Sequence, residues 1–372
     1  MNDEARRTGG LDPARDRAQR RSRWGRRSLY GFPRRERAEE GPGGASTYAA
    51  LDLGTNNCRL LVARPSGDGF HVIDAFSRII RLGEGITASG RLNEAAIERA
   101  VEALGICRDK MRNRGVTRAR LIATEACRAA ANGAEFRARV VEEVGLELEV
   151  IDRETEAELA ASGCTPLIDP QADGVILFDI GGGSSELVRL ARSAPVERGP
   201  PLPKIEAWVS LPVGVVTLAE RHGGHQVTRD IYEAMVAEVA VFVDRFAAES
   251  GRRGVDQVHM LGTSGTVTTI AGVHLDLRRY ERRRVDGCWM SDDQVTQVIE
   301  RLLAMSYNER AANPCIGTDR ADLVLAGCAI LEAIRRAFPC RRLRVADRGL
   351  REGMLVKMMR QDGIWGEQAG RA

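Results

Sequence analysis

The sequence predicts an α/β protein made of two related lobes, and three observations carry that prediction. Short apolar strands alternate with helical patterns along the 372 residues. A device of apolar strand, terminal aspartate, glycine turn and return strand occurs twice, as Asp52-Leu-Gly-Thr-Asn-Asn and Asp179-Ile-Gly-Gly-Gly-Ser. The two copies stand 127 residues apart, a domain-sized spacing that signals internal duplication.

Taken in order, Tyr48–Leu53 and Cys58–Arg64 flank the first turn as a hairpin, and Phe70–Ile80 adds a third strand. Asn93 caps a helix running to about Arg112, with Ile97, Val101, Leu104 and Met111 at helical spacing. Arg120–Thr124 is a strand, followed by helices over Ala126–Asn132 and Ala134–Val144, a strand over Leu148–Ile151 and an Ala/Glu-rich helix over Glu154–Ser162. Pro166–Asp173 reads as a hinge. The pattern then restarts with Val175–Asp179, the turn Ile180–Ser184 and the return strand Glu186–Leu190. Further strands are predicted at Ala207–Leu211, Gln257–Leu261 and Leu343–Ala346. Helices are predicted from Val213, from Arg229, after the Gly262–Gly265 turn, over Asp292–Met305 and Arg320–Arg336, and from Gly349. The expected organisation is a basic leader over 1–46, a first lobe over 47–165, a second over 166–348, and a helix over 349–361 that can pack back on the first lobe. A flexible tail over 362–372 follows.

Charge is unevenly placed. Residues 1–46 hold twelve arginines and seven acids, a balance of +5, so the remaining chain carries −2 of the overall +3. The leader is too poor in apolar residues to offset chain entropy and reads as a disordered, solvated tail. No apolar run is long enough to span a membrane, and no apolar core of a secretory signal is found. The eight cysteines are scattered without a C-x-x-C pair and read as reduced cytoplasmic thiols. Aromatics make up only 5% of the chain, too few for base-stacking surfaces, so no nucleic-acid partner is expected. His222 and His225 lack a third ligand nearby, and no G-x-S-x-G elbow is found, which argues against a zinc site and an esterase.

The turns carry the chemistry. Glycines expose backbone N–H groups to a phosphate, and hydroxyl and amide side chains add donors. Between Asp179 and Glu186 lie Gly181, Gly182, Gly183, Ser184 and Ser185. A hairpin brings its two carboxylates together at the mouth of the turn, a donor pair suited to Mg²⁺ beside substrate phosphate oxygens. The first copy has Arg59 where the second has Glu186, so one turn suits an anion and the other a metal. A third strand–turn–helix, Leu261-Gly-Thr-Ser-Gly-Thr, is either an anion-binding helix start or a helix capped by Thr263 or Ser264. The cluster Leu277-Arg-Arg-Tyr-Glu-Arg-Arg-Arg284 is either a grip for a polyanion or a solvated loop.

These residues resemble the exopolyphosphatase/guanosine pentaphosphate phosphohydrolase (Ppx/GppA) family, on the duplicated ribonuclease-H-like fold of actin, sugar kinases and heat-shock chaperones. The resemblance runs from about Thr47 to Met359 and is carried by LDLGTNNCRLLVAR (51–64), ATEACRAAAN (123–132), VIDRETEAELAASG (150–163), FDIGGGSSELV (178–188), LGTSGTVTTIAG (261–272) and RVADRGLREGML (344–355). It implies hydrolysis of a terminal phosphoanhydride in an interlobe cleft with Mg²⁺ or another divalent cation. The substrate would be inorganic polyphosphate or guanosine pentaphosphate. Asp179 and Glu186 match the family's metal-associated acids, Gly181–Ser185 its second phosphate loop, and Thr55 and Asn56 the first. Arg128 matches its phosphate-binding arginine, and Glu156 the glutamate taken to activate water. On a helix Glu154 and Glu158 share a face while Glu156 lies about 200° around from Glu154, so one set faces inward and the other solvent. Asn57 stands where the family commonly has Ser. The chain also stops after the second lobe, without the helical extension of long members, which leaves a homodimer open. Two other readings use the same turns: a sugar kinase, disfavoured by GGGSSE with Glu156, and a non-catalytic sensor of polyphosphate or an alarmone.

Overall fold

A computed structural model describes residues 46–192, 196–251 and 258–365. The expected leader, apart from Ser46, and the tail beyond Trp365 lie outside the described residues. The first sheet comprises β1 (Tyr48–Leu53), β2 (Asn57–Ser66), β3 (Gly69–Ile79), β4 (Arg118–Ala123) and β5 (Glu149–Val150), in the order β3-β2-β1-β4-β5. The β1–β2 and β2–β3 pairs are antiparallel, and β4 and β5 join in parallel. The second sheet comprises β6 (Gly174–Ile180), β7 (Ser185–Ala191), β8 (Lys204–Leu211), β9 (Val258–Thr263), β10 (Trp289–Ser291) and β11 (Arg342–Ala346), in the order β8-β7-β6-β9-β11-β10. Its first five strands repeat the order and polarity of the first sheet, and β10 adds an antiparallel edge. The sequence repeat at Asp52 and Asp179 is therefore a duplication of the whole sheet. The fold is the two-lobed, duplicated ribonuclease-H-like α/β arrangement.

Strand alternation sorts each sheet's two faces. In the first sheet Ala49, Leu51, Leu53, Cys58, Leu60 and Val62 face α1 (Glu94–Asn113), α2 (Glu125–Ala129) and α3 (Gly133–Val144). Helix α1 buries Ala96, Ile97, Ala100, Ala103, Leu104, Cys107 and Met111, a three-to-four-residue stripe, and Asn93 caps it by accepting from Ala96 N at 2.8 Å. The opposite face, with Tyr48, Ala50, Leu61 and Ala63, packs against α10 (Leu350–Gln361) through Met354, Leu355 and Met358.

In the second sheet, Ile176, Phe178, Ile180 and Leu187 meet the core formed by α5 (Val215–His222), α6 (Arg229–Ser250), α7 (Gly265–His274), α8 (Asp292–Ala304) and α9 (Val324–Ala337). Val175, Leu177, Val188 and Leu190 turn the other way, onto Ala157, Ala161 and Cys164 of α4 (Arg153–Cys164). Helices α4 and α10 thus lie between the sheets and cross each other at very close range. A Cβ on Gly163 would meet Gly349 O at 2.0 Å, and one on Gly353 would meet Leu159 O at 1.9 Å.

The expected helix over Arg320–Arg336 begins only at Val324. Residues 317–323 form turns instead, opened by Gly317 at φ 75° and held by Arg81, which donates to Asp319 O and to both carboxylate oxygens of Asp322. The helix expected over Ala126–Asn132 ends at Ala129, and the strand expected from Ala207 already begins at Lys204. Within the basic cluster, Arg282 pairs with Asp347 and Glu352, whereas Arg278, Arg279, Arg283 and Arg284 are exposed.

Candidate active site

The two repeated turns meet. A Cβ on Gly182 would lie 2.9 Å from Thr55 Cβ, and one on Gly183 would lie 2.9 Å from Thr55 Oγ1, so only glycine lets the lobes approach this closely. Around the junction is a cleft lined by Asp52, Thr55, Asn56, Asn57 and Arg59 from the first turn and by Asp179, Gly181, Gly182, Gly183, Ser184 and Glu186 from the second. Glu156 of α4 also lines it.

Register explains the arrangement. Asp52 pairs across the β1–β2 ladder with Arg59, and Asp179 pairs across β6–β7 with Glu186. Each pair lies on the sheet face that looks toward α4 and α10, so duplication places a charge-complementary pair in one lobe and a dicarboxylate pair in the other. Alternation also accounts for Ser185, which corrects the expectation of a phosphate-binding role. Ser184 and Glu186 face the cleft, whereas Ser185 points away, is fully buried and donates to Val213 O at 2.8 Å. Helical phase separates the three glutamates: Glu154 and Glu158 are exposed, whereas the Glu156 carboxylate is turned into the cleft.

Arg128 is not among the cleft-lining residues. Its guanidinium lies beside Glu156, donating to Glu156 Oε2 at 3.2 Å, to Glu125 Oε2 at 3.0 and 2.5 Å, and to Ile151 O at 2.6 Å. The arginines that line the cleft itself are Arg59 and Arg320. Arg320 was not singled out from the sequence because its segment reads as the start of a helix. Burial, reinforced by the charge of Arg59, pushes its pKa below the usual arginine value. Thr266, within the third strand–turn–helix, also lines the cleft, as do Glu125 and Thr269, which no local pattern distinguishes from their neighbours.

The carboxylates crowd one another out of water. Burial pushes Asp179 up to about 6, with Arg59 opposing the shift. Glu186 rises to about 7, chiefly by burial and then by the charge of Asp179, against hydrogen bonds from Ser210 and Ser184. Burial raises Glu156 well above the ordinary carboxylate range, and Glu186 adds to it. Such a cluster requires a cation when ionised. Three lining groups also carry buried polar atoms with no partner among the described residues: Asn56 Oδ1, Asn57 Oδ1 and Ser264 Oγ. The third strand–turn–helix opens onto the same cleft through Ser264, Gly265 and Thr266. Ser264 adopts φ 102° and does not cap α7, while Thr263 donates to Arg348 O at 2.6 Å, so neither residue serves as the cap. Away from the cleft, His222 pairs with Glu238 and His225 stacks on Tyr307.

Two lobes of one topology, glycine turns facing each other and a buried carboxylate cluster between them make a site suited to a phosphoryl group. Residues 61–362 match the Ppx/GppA phosphatase family, and the chain belongs to that family; it is a hydrolase of phosphorus-containing acid anhydrides. Exopolyphosphatase 2 of Mycobacterium tuberculosis is 27% identical over 329 residues, which cover 83% of this chain and 98% of the relative. Among solved structures, a Ppx/GppA family member of Aquifex aeolicus is 28% identical with a TM-score of 0.70, over 85% of this chain and 98% of that one. An exopolyphosphatase of Cytophaga hutchinsonii is 25% identical with a TM-score of 0.75, over 85% and 98% of the two chains.

Proposed function

We propose that this protein removes the terminal orthophosphate of inorganic polyphosphate by in-line attack of water. The observation that carries the reading is the pair of opposed turns, Asp52 to Arg59 and Asp179 to Glu186, with Glu156 between them. Phosphoryl transfer asks the protein mainly for positioning and charge stabilisation. Gly181 N–H closes the turn by donating to Ser184 O at 3.0 Å, so the backbone N–H groups of Gly182 and Gly183, with the Thr55, Asn56 and Ser184 side chains, receive the terminal phosphoryl oxygens, and Arg59 supplies positive charge across the cleft. Glu156, held by Arg128, takes the proton of the attacking water; burial and the neighbouring Glu186 charge raise its pKa and so make its carboxylate a stronger proton acceptor.

The donor set of Asp179 and Glu186, hard oxygens in a register pair beside unpartnered amide oxygens, fits Mg²⁺ or a similar divalent cation. When bound, that ion offsets charge developing on the phosphoryl oxygens. Guanosine pentaphosphate presents the same terminal group to the same residues and is the alternative substrate. The eight cysteines are all free thiols, and no helix among the described residues is long and apolar enough to cross a membrane; the thiols support a cytoplasmic enzyme.

The test is orthophosphate release with Mg²⁺ from polyphosphate and from guanosine pentaphosphate, side by side. Preferential release from polyphosphate supports the reading. Preferential turnover of the nucleotide replaces the substrate, and binding of both without release makes the protein a sensor.

A further inference from the structure

The first turns of α2 and α4 face each other with inverted charge order: Glu125-x-x-Arg128 on one, Arg153-x-x-Glu156 on the other. Their side chains form a linked chain. Arg153 Nη2 donates to Glu125 Oε1 at 3.0 Å, and Glu125 Oε2 accepts from Arg128 Nε at 3.0 Å and Nη2 at 2.5 Å. The same Nη2 reaches Glu156 Oε2 at the longer distance of 3.2 Å. Glu125, Arg128 and Glu156 are mostly buried, their side chains 16%, 21% and 15% exposed, which removes the solvent screening that makes surface pairs weak. Glu125 also lines the cleft, and a Cβ on Gly183 would lie 3.1 Å from its Cγ.

Arg128 is the one cation among the groups whose charge most affects Glu156; Glu186, Asp52 and Asp179 are its other strong neighbours. How tightly Arg128 pairs with Glu156 therefore governs how available that carboxylate is to a water proton. Glu125 competes for the same nitrogen at shorter range, and Arg153 fixes Glu125 in place.

We propose that Glu125 is a positioning residue for hydrolysis, dividing the Arg128 guanidinium so that Glu156 is oriented but not locked in a close ion pair. This inference rests on Glu156 acting as the base. Without the Glu125 charge, Arg128 closes fully on Glu156, and the step that suffers is proton removal rather than substrate binding.

The experiment is steady-state kinetics on polyphosphate for Glu125→Gln, Glu125→Asp, Arg153→Gln, Glu156→Gln and the Glu125→Gln/Glu156→Gln double variant. Glu125→Gln is expected to lower kcat about tenfold with KM within about twofold. Restoring the charge in Glu125→Asp returns part of the loss. Arg153→Gln, at a side chain 43% exposed, gives a smaller fall of the same kind and covers the case in which Glu125→Gln does not fold. In the Glu156→Gln background, Glu125→Gln is expected to add nothing, because its effect passes through Glu156. Glu125→Gln at near-normal kcat, a loss confined to KM, or an equal loss in the Glu156→Gln background overturns the inference. Full turnover by Glu156→Gln alone instead overturns the base assignment, so the two failures are distinguishable.

Discussion

The proposed function gives Glu156 one task and the pair Asp179 and Glu186 another, and the two assignments can be tested separately. A general base contributes about 10²- to 10⁴-fold to rate, so Glu156→Gln is expected to reduce turnover on that scale while polyphosphate binding persists. A variant of equal turnover removes Glu156 from the mechanism. The metal pair is tested through stability. Asp179 and Glu186 have folded-state pKa values raised to about 6 and about 7, so the folded state holds protons that the unfolded chain has already released. Their favourable contribution is complete below about pH 4, near their unfolded values, and is lost as pH rises through 6 to 7. Metal-free protein is therefore expected to lose thermal stability from this pair between pH 5 and 8, and a cation that binds the ionised pair restores it. Mg²⁺ should raise Tm more at pH 8 than at pH 5. An equal rise at both pH values would separate the cation from these two residues.

At the scale of elements, the crossing of α4 and α10 fixes the height of Glu156 against both sheets. Gly163 and Gly353 permit it because main-chain oxygens, which cannot rotate away, stand where their Cβ atoms would be. Gly353→Ala must push the helices apart or distort Leu159, and overpacking of this kind costs about 1–3 kcal/mol. Denaturant unfolding should show that loss, accompanied by reduced turnover because Glu156 moves with its helix. A variant as stable as the parent would show that the crossing relaxes freely. Much of the element scale was legible beforehand. The three-to-four-residue stripe of α1, the Asn93 cap and the two hairpins each follow from local pattern. The late start of α9 was not legible, because the turns before it are held by Arg81 through Asp319, 238 residues away in sequence, and Asp322.

Across the whole molecule, that Arg81 contact joins the lobes beside the cleft. The bidentate pair with Asp322, at 3.0 Å for both bonds, ties a residue whose own N–H donates to Asn56 O to the turn that carries Arg320. A second link runs from Gly85 N to Glu220 Oε1 at 2.9 Å. Both sides of the pair are partly buried, so its loss is expected to cost about 1–2 kcal/mol. The larger effect should be on the register of the Asn56 turn against Arg320. Arg81→Asp and Asp322→Arg are each expected to raise KM for polyphosphate, and the Arg81→Asp/Asp322→Arg double variant to recover most of the loss. Failure of the reversed pair to recover function would reduce the contact to simple cohesion.

The sequence by itself determined the class, the duplication and the positions of both turns, because strand period, glycine placement and the Asp spacing are local and repeat within one chain. It also separated Glu156 from Glu154 and Glu158, since helical phase is a property of the segment alone. Only the tertiary structure decided which side of β7 Ser185 occupies, that Arg128 lies behind Glu156 rather than along the cleft, and that Arg320 and Glu125 belong to the site. Those outcomes depend on which face of each sheet meets α4 and α10 and on charges brought together from opposite ends of the chain, and no local pattern encodes them.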